Sequence, residues 1–473
     1  MAKPVAFVAG PAMDILHDVG VSVELVGDPA QTWQTAALDS RQAGPGCLFV
    51  ALKGGKVDGH DFILDALGHG ARTFLVESGA FRSKPAVVGE VRRQGGAALV
   101  VDSVLQSFQA LARQKRLRHP GLIRVGITGS SGKTTTKEIV ASILSRAGRV
   151  AMNPGNLNSD QGLALSLFGI VGDEDYGVFE MGMNRRDEMD ELAWMYEPDF
   201  ALITNVGTAH IGILGTKKAI AEEKKRIFSR FESREVGIVP AGSEFTELLK
   251  KGVHGEILEY GPTATKGYTG AEDLGLDGWT IDWEGLQIRF PLVGKHNLEN
   301  AIAAITLTAR MGIRAADVAA GLEAVKAPED RSQVLRGPVT VVSDCYNSNP
   351  ESAAAALSFC DDLAWKGRRW YVLGSMLELG TGAEAAHREF GAMAANSKAE
   401  GLLFFGKDSK AGFDRAKELG YKGLLVHEEE IEALAKTLRA KVKKGDLVLL
   451  KGSRGVALER LFALVPDLAG ELR

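Results

Sequence analysis

Thr128-Gly129-Ser130-Ser131-Gly132-Lys133-Thr134-Thr135 decides how this chain is read. An apolar run (Leu122, Ile123, Val125, Ile127) precedes it and a helical pattern (Ile139, Val140, Ile143, Leu144) follows it. A strand, a glycine-rich turn and Gly-Lys-Thr at a helix start form a phosphate cradle. The turn's backbone N–H groups and the helix N-terminus attract anions. Lys133 can reach β- and γ-phosphates, and the Thr134 hydroxyl can hold Mg²⁺. The usual spacing, G-x-x-x-x-G-K-[ST], would put its first glycine at Ile127, so the common pattern is not met. The strand-and-helix context carries the reading, and it implies a site for ATP or GTP.

Working outward, the chain has 473 residues, 45% hydrophobic and 25% charged, an ordinary globular composition. At ~100–200 residues per domain it should hold about three domains. A net charge of −4 gives no basic surplus, so no nucleic-acid partner is implied. The cluster Arg113, Lys115, Arg116, Arg118 reads as a solvated helix face. Three cysteines (Cys47, Cys345, Cys360) without a C-x-x-C pair argue for a reducing compartment. The run Val5–Ala9 is too short for a signal-peptide core, and no apolar stretch nears the ~20 residues of a spanning helix. A cytoplasmic protein without membrane insertion is expected.

Three units follow from the pattern. Residues 1–118 form a small α/β unit. In it Leu38–Arg41 and Leu48–Leu52 read as short strand-like runs about the turn Gly44-Pro45-Gly46. Residues 119–328 alternate strand and helix around the phosphate loop, with strands at Val178–Glu180 and Phe200–Thr204, which predicts a mostly parallel sheet. The polar break Lys326–Arg331 is the second hinge. Residues 329–473 restart the alternation, with the first strand at Val339–Ser343 and others at Trp370–Leu373, Leu402–Phe405, Gly423–Val426 and Leu447–Leu450, a Rossmann-like pattern lacking G-x-G-x-x-G. The fold class is thus three-domain α/β.

Ligands of such sheets sit at the carboxyl ends of strands, where Glu180, Asn205 and His210 fall. Glu180 could ligate Mg²⁺, or be a capping or salt-bridged surface group. His210 could be a ligand or a structural histidine. Lys224 sits in a charge run, Ala221–Phe228, that by itself reads as a solvated helix face. Asn156 and Asn158 read as a plain turn, and Asn297 could simply cap a helix. Ser343–Pro350 crowds polar side chains at a strand end before a helix with Pro350 in its first turn, and Lys451–Gly455 closes the last strand similarly.

Together these segments resemble the Mur ligase family over nearly the whole chain. The phosphate loop is similar to that family's own variant, which accounts for the missing glycine. Tyr346-Asn347-Ser348-Asn349-Pro350, Leu373–Gly380 and Lys451-Gly452-Ser453-Arg454-Gly455 resemble signatures of its D-alanyl-D-alanine-adding branch, and the D-N-P-R of a diaminopimelate-adding sibling is absent. The resemblance implies an ATP-dependent ligase joining D-alanyl-D-alanine to UDP-N-acetylmuramoyl-tripeptide through an acyl phosphate. It implies that Gly129 to Thr135, with Lys133 on the γ-phosphate, bind ATP together with Asn297, Arg331, Asp344 and Tyr346. Thr134, Glu180 and His210 would help hold two Mg²⁺ ions, with Lys224 carbamylated into a metal-binding carboxylate. Lys133, Lys224 and His210 would be the catalytic set. Ser40 and Arg41 would hold the UDP part, and Asn156, Asn158, Asn347 and Asn349 the rest of the substrates. A monomer is expected. Ser375 stands where the Asp of the signature is usual, which leaves a carboxylate role there open, while Glu378 is kept. A folylpolyglutamate-type ligase, a GTPase (no N-K-x-D occurs) and a non-catalytic nucleotide-binding protein are the alternatives.

Overall fold

The computed structural model describes residues 6–468 and 471–472, so Val5, the start of the N-terminal apolar run, lies outside them. At its centre is a six-stranded, wholly parallel sheet in the order Glu256–Tyr260, Val236–Pro240, Phe200–Ile203, Ile123–Thr128, Tyr176–Glu180, Val150–Met152. The strand before the phosphate loop is interior, registered with Phe200–Ile203 on one side and Tyr176–Glu180 on the other. Glu180 pairs with Ile127 and Ile203 with Thr128, so three strands end at one level. β-Branched residues suit this position, buried on both faces. The helix Lys133–Leu144 returns across the sheet and buries Ile139, Val140, Ile143 and Leu144 against Val125, Ile127, Val178 and Leu202. The same core is closed by a three-stranded antiparallel meander, Tyr268–Asp273, Trp279–Trp283 and Leu286–Phe290, which the alternating pattern did not predict.

The N-terminal sheet has five strands: Val23–Gly27, Ala97–Val101, Thr73–Glu77, Cys47–Val50 and Thr35–Ala37, antiparallel only at the first pair. The strand expected at Leu38–Arg41 lies earlier, at Thr35–Ala37. Ser40–Gln42 is a single 3₁₀ turn because the Asp39 carboxylate accepts the Arg41 N–H at 3.0 Å. The helix Val104–Leu117 packs this unit onto the central one, with Phe108 stacked on Phe168 at 5.6 Å.

The basic cluster on that helix is not a solvated face. Lys115 and Arg116 are buried; Arg113 and Arg116 both pair with Glu197, and the Arg118 guanidinium lies 4.0 Å over Phe7. Their long stems cover apolar surface at the junction of the two units while the charged ends find partners there.

The C-terminal sheet has seven strands in the order Leu424–Glu428, Gly401–Phe405, Arg369–Gly374, Leu447–Lys451, Thr340–Asp344, Gln333–Arg336, Glu471–Leu472. Five are parallel. Thr340–Asp344 is not the first strand of this unit: Gln333–Arg336 precedes it and pairs antiparallel. The three cysteines are free and buried. No helix among the described residues is long and apolar enough to cross a membrane.

Candidate active site

The level ends of the central strands open into a cavity of about 530 Å³ whose other wall is the C-terminal unit. Gly132, at φ 76, begins the helix that carries Lys133. The N–H groups of Ser130 and Ser131 are both taken by the Asn205 side-chain oxygen, at 3.1 and 2.9 Å. The loop is therefore held from the neighbouring strand end, and the helix N-terminus from Gly132 onward is what faces an anion. Gly129 lies tightly against the same strand end, since a Cβ there would sit 1.8 Å from Thr204 Oγ1.

Glu180 is not a surface group. It is 2% exposed and accepts the Thr134 hydroxyl at 2.5 Å and Asn158 Nδ2 at 2.6 Å. Its backbone is fixed by Asn153, which donates Nδ2 to the Glu180 and Leu157 carbonyls and accepts the Glu180 N–H. Lys137, a buried cation, donates to the Asn153 carbonyl at 2.8 Å and so braces the turn from beneath. Asn156 occupies a plain turn at the cavity wall, whereas Asn158 orients the buried carboxylate.

Among the described residues Lys133 Nζ donates only to the Gly129 carbonyl, at 3.1 Å, and burial in the cleft lowers its pKa. The reading of Lys224 as a solvated residue is overturned: it is 1% exposed. Its ammonium has no ion pair among the described residues, and burial, then the Lys133 charge, holds its pKa well below the usual lysine range. A buried amine so destabilised as a cation is the form that CO₂ can carbamylate. His210, at φ 65, is pushed down to about 3 by burial and by the charges of Lys133 and Lys224, and its buried Nδ1 has no hydrogen-bond partner. Neutral imidazole, the Glu180 carboxylate and the Thr134 hydroxyl form a donor set that could hold a divalent cation.

The opposite wall comes from the C-terminal unit. The Arg331 guanidinium lies 3.9 Å over the Tyr346 ring. Asp344 accepts the Ser332 N–H and pairs with buried Lys451 at 3.0 Å. Lys451 also donates to the Asn347 carbonyl at 2.7 Å. Asn349 spends its side-chain oxygen as N-cap of the helix Pro350–Asp362, in a reciprocal box with Ser352. Asn297 does not cap the helix, the plain alternative to a nucleotide contact. Gly294, at φ 85, occupies that position, and Asn297 lies one turn in, donating to the Val293 carbonyl. The walls meet where Glu351 accepts the Thr208 N–H and hydroxyl at 2.9 and 2.7 Å, and where Gly212 abuts Gly380. Ser40 and Arg41 do not line this cavity; Arg41 is exposed in the N-terminal unit and forks onto Asp39. Ser375 is buried, accepting the Ser409 N–H, and a Cβ at Gly406 would stand 2.8 Å from its Oγ.

Comparison with known proteins matches the same three units. The Mur ligase middle domain covers residues 127–308, the Mur ligase glutamate ligase domain 330–454, and the Mur ligase family catalytic domain 35–116. A UDP-N-acetylmuramoyl-tripeptide–D-alanyl-D-alanine ligase of Treponema pallidum is 43% identical over 92% of this chain and 94% of its own. The chain belongs to the Mur ligase family. Among solved structures, MurF from Acinetobacter baumannii matches with a TM-score of 0.85 at 27% identity, covering 98% of this chain and 99% of that one. The MurF ligase of Thermotoga maritima in complex with ADP matches at 0.76 and 28%, covering 91% and 96%.

Several Mur ligase site contacts had no signal of their own in the sequence. Asn153 and Lys137 look like an ordinary turn residue and an ordinary helix cation, and only tertiary burial reveals their work. Glu351 looks like a first-turn acid attracted by the helix dipole, yet it spans to Thr208.

Proposed function

We propose that this chain joins D-alanyl-D-alanine to UDP-N-acetylmuramoyl-tripeptide, splitting ATP to ADP and phosphate and giving the pentapeptide precursor of peptidoglycan. The observation that carries this reading is the 43% identity to a ligase of that name over nearly the full length of both chains. The cleft supports it: a phosphate cradle opens toward a second wall, as a reaction of nucleotide with two further substrates requires.

In this reading residues 1–118 bind the UDP part through Ser40 and Arg41. Residues 119–328 bind ATP, and 329–473 close over it and admit the dipeptide. Asn297, Arg331, Asp344 and Tyr346 hold the nucleoside side of ATP; Asn156, Asn158, Asn347 and Asn349 border the other substrates. Thr134, Glu180, His210 and a carbamylated Lys224 would hold Mg²⁺, two ions in all, which when bound would neutralise phosphate charge. Lys133 holds the γ-phosphoryl as it passes to the tripeptide's terminal carboxylate. The dipeptide amine then attacks the acyl phosphate, the C–N bond forms and phosphate leaves. The chain supplies no covalent nucleophile: it positions, neutralises and excludes water. A monomeric, cytoplasmic enzyme fits this role.

The test is phosphate release from ATP with each substrate omitted in turn. Release needing all three, with one UDP-linked pentapeptide per phosphate, supports the reading. Release independent of the dipeptide overturns it in favour of another acceptor or a plain ATPase.

A further inference from the structure

Glu378 is a cleft carboxylate without a lysine or arginine in salt-bridge contact among the described residues. Its side chain is 65% exposed. Its nearest charged-type neighbour is His210, where Oε2 stands 3.7 Å from Nδ1, beyond hydrogen-bonding distance, and that Nδ1 is unpartnered. Lys133 lines the same cavity, so the carboxylate shares the cleft with the phosphate loop.

The backbone holds it there at some cost. Glu378 has φ 65, a conformation that side chains other than glycine seldom adopt. Gly380 follows at φ 58, and the Glu378 carbonyl and the Gly380 N–H are pressed against Gly212 of the central unit. A carboxylate at positive φ that lines the cleft, on a turn packed against the opposite unit, is a candidate for a placement that serves function.

What does it await? An anion facing phosphate and a substrate carboxylate is repelled unless a cation comes between. The candidate metal donors Thr134, Glu180, His210 and Lys224 all come from the central unit, whereas Glu378 comes from the opposite wall. The one substrate that arrives as a cation at its reacting end is the dipeptide. Resting on the ligase reading above, we propose that the Glu378 carboxylate receives the ammonium of the incoming D-alanyl-D-alanine and, once that ammonium has lost a proton to solvent, holds the free amine toward the activated carboxyl. Glu378 is thus a specificity-determining residue for a free amino terminus.

The test uses the full chain carrying Glu378→Gln, which keeps size and removes charge at an exposed position. Steady-state kinetics should show KM for D-alanyl-D-alanine raised about ten- to a hundredfold, as for loss of a charge-assisted contact, with KM for ATP and Mg²⁺ little changed. In parallel, hydroxylamine, an amine uncharged at neutral pH, traps the acyl phosphate as a hydroxamate without the dipeptide. That rate should survive in the variant. An unchanged dipeptide KM overturns the proposal, and so does a hydroxamate rate that falls in step, because Glu378 would then act in phosphoryl transfer. Failure of the ligase reading would already show in the unsubstituted protein, as phosphate release indifferent to the dipeptide, and would remove both.

Discussion

Asn153→Ala tests whether the Glu180 carboxylate is set by a buried amide. Asn153 is wholly buried and makes three hydrogen bonds: to the Leu157 carbonyl at 2.8 Å, to the Glu180 carbonyl at 3.0 Å and from the Glu180 N–H at 2.9 Å. At about 1 kcal/mol net for each bond, and more where a buried partner is left unsatisfied, the substitution should cost about 3–5 kcal/mol. Asn153→Asp should be no better. It keeps the acceptor for the Glu180 N–H but turns a carboxylate oxygen toward two carbonyls. Denaturant unfolding in the presence of a chelator reads the loss as a lower midpoint at unchanged slope. The same variant frees the Glu180 strand end, so the Mg²⁺ concentration for half-maximal turnover should rise several-fold. A stability loss below about 1 kcal/mol would refute the reasoning, since the three bonds would then be dispensable or replaced.

Lys133→Ala should lower turnover by about 10²–10³ or more, as loss of a transition-state charge partner does. Stability should stay within about 1 kcal/mol, because the side-chain bond lost among the described residues is the one to the Gly129 carbonyl; phosphate release and unfolding on one preparation check both. Lys224→Ala should lose most activity and regain part of it with a short carboxylate such as acetate, whereas Lys224→Arg should not be rescued; ¹³CO₂ should give a carbamate NMR signal in the parent only. His210 has its pKa lowered from 6.5 to about 3, so between those pH values the unfolded chain binds a proton that the folded one refuses. Metal-free stability should therefore fall as pH drops from about 6.5 toward 3, and His210→Gln should flatten that acid limb in urea titrations at successive pH.

The parts of the fold written in local chemistry were legible. Ile123–Thr128 and its glycine turn, with Lys133–Leu144 after it, need only β-branched residues, a left-handed glycine and helical spacing, all readable in one window. The parallel strands of the third unit were equally plain as short apolar runs between helices. The meander 268–290 was not, because Tyr268–Asp273 is largely polar and becomes a strand only by pairing with Trp279–Trp283. Charged side chains misled most. Lys115, Arg116 and Lys224 sit at helical spacings that suit a wet face, and their burial depends on surroundings remote in sequence: the Gln34 carbonyl for Lys115, Glu197 for Arg116, and packing beside the Lys133 charge for Lys224. For Asn297 only the capping alternative falls, because a glycine three residues earlier already starts the helix.

The meeting of Gly212 with Gly380 has a mechanical consequence. Backbone touches backbone there, with no rotamer between them to give way: a Cβ on Gly380 would stand 2.8 Å from the Gly212 Cα. In the proposed closure of the third unit over ATP, this backbone contact would be the point at which the two walls stop. A side chain at either glycine would act as a shim, setting the gap between the half that carries Lys133 and the half that carries Glu378.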